Sequence, residues 1–386
     1  MMRVWMLDPA QLTPYYNIAL CDALADAGCA VRYIASRYLY DDHLPFTGRF
    51  QTDYVYFRGL YYPWLTRFPR LRRGLRAAVY PLAHWQVARQ LKRATPDVLH
   101  IQWSRAPLFD CWLIRQAQAA GVPVVHTVHD VVPLYALRAD TRPLQAVYCA
   151  ADRIIVHTKA NRETFVRTYP AVDPAKIAIV PLISTPYTAL PADATRAQAR
   201  ARLGLPADAT VLLFFGSVRA YKGVDVLLAA FAQAAEVRPD VRLLIAGRPE
   251  TQADVDLLAA ARDQRQVRVF SGYVPYEDVW LYHYAADAAV LPYRAITQSA
   301  ALITCMDFGL PVIVTDVGGL PESVDGNGWV VPPEDIPALT EALLAAVSDR
   351  DLLRQMGQRS KALIAERHAG PAVARQTMAL YRELVR

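Results

Sequence analysis

Residues 212–231, LLFFGSVRAYKGVDVLLAAF, set two cations beside a backbone built for close approach. An apolar run ends at Gly216, a short loop carries Arg219 and Lys222, Gly223 permits a tight turn, and an apolar helical pattern follows at once. A guanidinium offers a planar fork of donors, an ammonium a movable point charge, and the first amides of a helix carry the positive end of its dipole. Together they make an anion site whose natural guest is a diphosphate. Taken alone, the loop also fits a simpler arrangement in which both side chains face water, as most Arg and Lys side chains do.

A second stretch, VLPYRAITQSAALITCMDFGLPVIVTDVGG over 290–319, reads as a strand end, a polar turn at Thr297, Gln298 and Ser299, a short helix and another buried strand. The amides of Ser299, Ala300 and Ala301 open that helix, and the small side chains let a phosphate or a sugar reach the backbone. Thr297 or Ser299 would serve as N-cap, and a capped helix with an open first turn is still an anion site. In the N-terminal half, VVHTVHDVVP brings His126 and His129 to the end of a buried strand, and RIIVHT does the same for His157. Histidines there are commonly satisfied by backbone; contact with a ligand is the other reading. The loop DPAQLTPYYN places Thr13, Tyr15 and Tyr16 after the first strand, where the tyrosines either stack on a ligand or pack.

FFGSVRAYKG, the run VPYEDVWLYHYAADAAVLPY and FGLPVIVTDVGGLPESV resemble the retaining glycosyltransferases of family 4, over nearly the whole second half of the chain. VVHTVHDVVP and ADRIIVHTKANRETF extend the likeness, more loosely, into the first half. The resemblance implies a GT-B fold, α/β with two doubly wound Rossmann-like domains facing across a cleft, and a nucleotide-diphosphate sugar as donor. It casts Arg219 and Lys222 as the cations that meet charge developing on the departing diphosphate, and His129 as a contact to the donor sugar. Gly216, Val274, Gln298, Ser299, Ala300, Ala301, Thr304 and Glu322 fall on the donor side, and Thr13, Tyr15 and Tyr16 on the acceptor side.

This sequence departs from the family at two glutamates: Ile296 stands where the carboxylate beside the donor sugar is expected, and Thr304 where the ribose-holding one is. Gln298 and the Thr304 hydroxyl are the nearest substitutes, with Asp307 a turn further on. Glu322 does match the family's acid after the paired glycines Gly318 and Gly319. No metal or other cofactor is expected, since there is no D-x-D strand end, and the leaving phosphate is thought to take the acceptor proton, so no separate base is sought.

The elements that must position these residues are legible as runs. RVWML, AVRYIA, DVLHIQW, VPVVHTV and RIIVHT alternate with amphipathic stretches that stop at Gly28 and Gly121, which is the pattern of a parallel sheet wound on both faces. After a Pro- and Ala-rich segment the pattern restarts with TVLLFFG, VRLLIAG, VRVFSGY, AAVLPY, PVIVTD and GWVVPP. The expected division is an acceptor-side domain over 1–187, a linker over 188–208, a nucleotide-sugar domain over 209–365 and a C-terminal helix over 366–386 that packs back on the first domain.

At 386 residues, 54% hydrophobic and 20% charged, the chain suits two packed cores. Its five scattered cysteines include no C-x-x-C pair, which points to buried thiols in a reducing compartment. No run of about 18 apolar residues occurs, so the chain reads as cytoplasmic. Between Asp53 and Asp97 lie Arg58, Arg67, Arg70, Arg72, Arg73, Arg76, Arg89, Lys92 and Arg93 with no acid among them. Mixed with Tyr61, Tyr62, Trp64, Phe68, Tyr80 and Trp85, this block over 58–93 is either a peripheral contact with anionic lipid on the inner face of a membrane or a basic helix with packed aromatics. Nucleic acid fits it less well, since no recognition motif accompanies the charge.

The reading is therefore a retaining glycosyltransferase acting on a glycan or polyprenyl-linked acceptor. A non-catalytic partner of the same fold and a nucleotide-sugar epimerase are its rivals. Persistence of Arg219, Lys222 and His129 argues against the first, and the lack of suitably placed carboxylates against the second. A dinucleotide-dependent dehydrogenase would need a G-x-G-x-x-G after the first strand, and none is present.

Overall fold

The computed structural model describes residues 1–37, 48–58, 60, 67–131, 141–185 and 190–385. Tyr61, Tyr62 and Trp64 of the basic block, residues 188–189 of the expected linker and Arg386 lie outside that set. The chain divides into two units, Met1–Thr185 with His368–Arg386, and Pro186–Arg367.

Among the described residues, the first unit has seven parallel strands: β1 (Arg3–Asp8), β2 (Ala30–Ser36), β3 (Gln51–Tyr56), β4 (Val98–Ile101), β5 (Val124–Thr127), β6 (Arg153–Val156) and β7 (Ile177–Ile179). They run in the order β3-β2-β1-β4-β5-β6-β7. Side chains alternate across a strand, so β1 sends Trp5 and Leu7 into one apolar core and Val4 and Met6 into another on the opposite face. Burial on both faces is why the inner strands read as unbroken apolar runs. The C-terminal helix Gly370–Leu384 belongs to this unit: Val373, Ala374 and Tyr381 enter the second core, and the Tyr381 hydroxyl meets His100 Nδ1 at 2.6 Å.

The described residues of the second unit form six parallel strands, β8 (Thr210–Phe215), β9 (Val241–Gly247), β10 (Val267–Ser271), β11 (Ala288–Leu291), β12 (Val312–Thr315) and β13 (Gly328–Val331). Their order is β10-β9-β8-β11-β12-β13. Both sheets therefore reverse direction of growth once, between β1 and β4 and between β8 and β11. Ligands of open parallel sheets bind beyond the strand ends at such switch points.

The segment expected as a linker is in part structured. From Thr195, which forms a capping box with Gln198, a helix Arg196–Arg202 joins the second unit. Arg200 of that helix is buried, donating to Asp287 Oδ2 at 2.7 Å and to the carbonyls of Ala285 and Ala207. An apolar strand pattern could not reveal this, because a single buried arginine with its partner fixes the helix in place.

Candidate active site

At the switch point of the second sheet, the chain leaving β8 turns through Gly216 at φ +130° and enters a 3-10 turn at Ala220–Lys222. Lys222 folds back over it: a Cβ on Gly216 would lie 3.1 Å from Lys222 Nζ. The ammonium also sits 5.1 Å from the Tyr293 ring centre. Burial, together with the charge of Arg219, lowers the Lys222 pKa to about 8. Two cations held together at this cost in desolvation form a place where an anion is favoured.

The backbone is layered so closely that only glycine fits. A Cβ on Gly247 would lie 1.8 Å from the Gly216 carbonyl oxygen, and one on Gly223, which has φ +64°, would lie 2.0 Å from that of Pro292. The ends of β8 and β9 are further tied by Val218 N donating to Arg248 O at 2.8 Å.

Two partners of this loop escaped the sequence reading. Arg294, just past β11, donates to Ala220 O at 2.6 Å, to both oxygens of Asp225 at 2.8 and 2.6 Å, and to Glu334 at 2.9 Å. Its own amide donates to Tyr221 O at 2.7 Å, so one residue fixes the whole 220–225 turn against the next strand. Glu250 is the second: Arg248 and Arg219 reach the same carboxylate oxygen at 2.9 and 3.2 Å. The hydrogen bond from Arg248 and the charge of Arg219 keep that carboxyl below the usual range. An anion arriving at Arg219 therefore meets a guanidinium already oriented by a carboxylate. Neither partner announces itself in sequence, since both are surface-type residues and lie far along the chain from the loop they brace, Arg294 from Asp225 and Glu250 from Arg219.

The turn at 296–299 is supported from below by glycine. Gly318, at φ +53°, lies so near that a Cβ would be 1.9 Å from Ile296 O, and Gly319 N donates to Thr297 O at 3.0 Å. Ser299 caps the helix Ala300–Asp307, accepting from Leu302 N at 3.2 Å. That leaves Ala300 exposed and Ala301 half-buried in the first turn, with Gln298 half-buried before it. Thr304 donates its hydroxyl proton to Ala300 O at 3.0 Å, so it retains acceptor capacity only. This is a weaker grip on a ribose diol than a carboxylate supplies. Val274 is half-buried in the loop after β10, and Glu322 is exposed on the 3-10 turn Pro321–Ser323.

In the first unit His129 follows β5 and is buried. Its Nε2 donates to Gln102 Oε1 at 2.9 Å, and its ring stacks on Trp103 at 5.0 Å and 18°. Burial and the neighbouring histidines push its pKa well down, so His129 is a neutral hydrogen-bonding group there rather than a cation. Gln102 in turn points its amide toward His100 Nε2 at 3.3 Å. Of the acceptor-side candidates, Thr13 accepts from Trp103 Nε1 at 3.0 Å, and Tyr15 is half-buried. Tyr16 lies in the core with its ring edge-on to His129 at 4.8 Å, where packing rather than sugar stacking uses it.

Comparison with known proteins supplies the family. A model described as Glycosyl transferases group 1 matches residues 195–363, and one described as Glycosyltransferase Family 4 matches residues 15–182. D-inositol 3-phosphate glycosyltransferase of Saccharomonospora viridis is 30% identical over 293 residues, covering 70% of this chain and 67% of that protein. The chain belongs to the family 4 glycosyltransferases. The Streptomyces scabiei protein of the same name is 34% identical over 267 residues, and the chain spans 59% of its length. Two solved structures show the family's GT-B fold over essentially the entire chain. Sucrose-phosphate synthase from Thermosynechococcus elongatus has a TM-score of 0.75 at 23% identity, covering 100% of this chain and 99% of that one. HepE of Anabaena in complex with UDP-glucose has 0.72 at 15%, covering 99% and 100%.

Proposed function

We propose that this family 4 glycosyltransferase moves a sugar from a nucleotide-diphosphate donor, with retention of anomeric configuration, to a glycan or polyprenyl-linked acceptor. The observation that carries this reading is the pair of neighbouring cations Arg219 and Lys222 on the loop after β8, with Lys222 Nζ folded over Gly216, at the switch point of the second sheet. When the bond between sugar and phosphate breaks, negative charge grows on the diphosphate, and cations already in place there lower the barrier. The amides of Ala300 and Ala301 add donors, and Gln298 with the backbone takes the sugar contacts that a carboxylate would make at Ile296. His129, neutral and tied to Gln102, suits a hydrogen bond to a sugar hydroxyl and not the proton transfers of a general base. The proton of the acceptor hydroxyl then goes to the departing phosphate. In this reading the protein's own cations hold the diphosphate, with no metal assigned.

The test is turnover with the donor selected from UDP, GDP and ADP sugars by thermal shift. Arg219→Ala and Lys222→Ala are each expected to lower kcat by about a hundredfold or more while leaving the melting temperature within a few degrees. Unchanged turnover in both variants overturns the assignment. The product's anomeric coupling constant, read by NMR, decides retention.

A further inference from the structure

The first unit holds a cavity of about 630 Å³ where the chain leaves β1, β2, β3 and β4. Its wall carries Arg37, Arg72, Arg73, Arg76 and Arg105, and no carboxylate among the described residues. These arginines arrive from three places: the end of β2, the first turns of the helix Pro69–Ala94, and the loop after β4. Like charges converging from separate elements repel one another, and such a gathering is stabilised by an anionic guest.

Among the described residues, Asp8 and Asp110, which directly adjoin wall residues in the chain, are each hydrogen-bonded to several donors. Asp8 accepts from the amides of Ala10 and Gln11, both at 2.9 Å, and from Asn17 at 2.6 Å. Asp110 accepts from Tyr80 at 2.8 Å, His84 at 2.9 Å, Ser104, and the amides of Arg105 and Ala106 at 3.0 and 2.9 Å. They shape the loops that carry Gln11 and Arg105 to the wall.

The backbone gives an independent sign. Among the described residues, four that are not glycine have positive φ, and two of them, Gln11 at 51° and Phe57 at 58°, line this cavity. Each such residue costs about 1 kcal/mol or more, and they concentrate where a site demands them. Gln11 is buried, and its Oε1 accepts from the Tyr33 hydroxyl at 2.9 Å, while that hydroxyl accepts from Asn17 at 3.2 Å. This chain of bonds fixes the amide so that its Nε2 donor has no acceptor among the described residues. A buried donor left open is what a ligand oxygen would satisfy. The cavity also occupies the switch point between β1 and β4, the same topological place that the Arg219 loop holds in the second sheet.

We propose that this cavity is the subsite for a phosphate or diphosphate group carried by the acceptor, a proposal that rests on the glycosyltransferase reading. Guanidinium forks meet phosphate oxygens in pairs, and the volume leaves room for the sugar next to the phosphate. The group could come from a soluble sugar phosphate or from a lipid-linked sugar at a bilayer. The helix Pro69–Ala94 bears on the second source: Leu71, Leu82 and Trp85 are each at least half exposed, with Phe68 just ahead of it and Arg70, Arg89, Lys92 and Arg93 around them.

The experiment uses the full chain with its donor site filled by the selected nucleoside diphosphate, so that an added anion cannot enter there. Calorimetric titration with inorganic diphosphate should show a second binding event. Arg73→Gln with Arg105→Gln should weaken it at least tenfold, and Gln11→Leu should weaken it less. If the double variant fails to fold, Arg76→Gln reads the same effect. No second binding event, or one that ignores these substitutions, overturns the subsite even when the nucleotide binds. The converse result, diphosphate bound with no nucleotide affinity, leaves the subsite standing and sinks the donor reading. A hexose 1-phosphate competing for the cavity identifies a soluble source. Competition only by farnesyl diphosphate in phosphatidylcholine vesicles, and not by vesicles containing phosphatidylglycerol instead, identifies a lipid-linked one. Competition by none of the three contradicts the proposal.

Discussion

In the proposed function, Lys222 is the residue through which donor binding responds most directly to pH. Its pKa of about 8, set first by burial and then by Arg219, means that the ammonium begins to lose its proton just above neutrality. A diphosphate needs it charged, so binding must supply the missing proton at higher pH. Affinity for the nucleoside diphosphate is therefore expected to fall by about tenfold for each pH unit well above 8. Lys222→Arg, which cannot deprotonate in this range, should bind with a flat profile. The ratio of the two affinities, measured from pH 7 to 10, cancels titration of the nucleotide itself; a constant ratio would show that Lys222 does not touch the diphosphate.

At the scale of the elements, the strand-to-helix loops do the positioning, and glycine sets how near they come. Gly204 and Gly223 share φ +64°, but a Cβ on Gly204 meets nothing within 4 Å whereas one on Gly223 strikes Pro292 O. Backbone strain alone should make Gly204→Ala cost about 1 kcal/mol with nucleotide binding intact. Gly223→Ala adds a clash that must displace the loop, and is expected to lower the urea midpoint further and weaken nucleotide binding at least tenfold. Equal effects of the two substitutions on binding would mean that the 220–225 turn is not part of the site. This contrast also marks what the sequence could and could not show. Gly216, Gly223, Arg219 and Lys222 are legible together because a strand, a loop and a helix start are contiguous in the chain. The inner strands are legible because burial on both faces makes them uniformly apolar, whereas the edge strands β3, QTDYVY, and β7, only three residues long, carry no such run. Arg294, Glu250 and the five-arginine cavity are assembled from the ends of different strands. Nothing local distinguishes their members from ordinary surface cations and acids.

For the molecule as a whole, the distribution of buried histidines makes acid stability unequal between its two units. In the first unit burial lowers the pKa of His100 to about 3 and those of His126 and His157 to about 4, and His129 is lowered too. The second unit has one such residue, His283, at about 4. Each of these folded-state values lies below that of the unfolded chain, so the associated stability is present above pH 6.5 and is lost as pH falls toward the folded value. For a drop from 6.5 to 4 this is about 3 kcal/mol per histidine. Asp8 acts in the opposite sense. Burial raises its pKa from 3.8 to about 6, and its contribution, also about 3 kcal/mol, is full below pH 3.8 and lost as pH rises through 6. One carboxyl cannot offset four histidines, so the first unit should lose several kcal/mol between pH 6.5 and 4 while the second loses less. Hydrogen exchange followed by mass spectrometry across that range should show β4, β5 and β6 opening before β8, β9 and β11. His126→Gln should move the first-unit transition to lower pH. Exchange that rises first in the second unit, or a first unit whose protection does not change from pH 7 to 4.5, would contradict the burial of these neutral imidazoles.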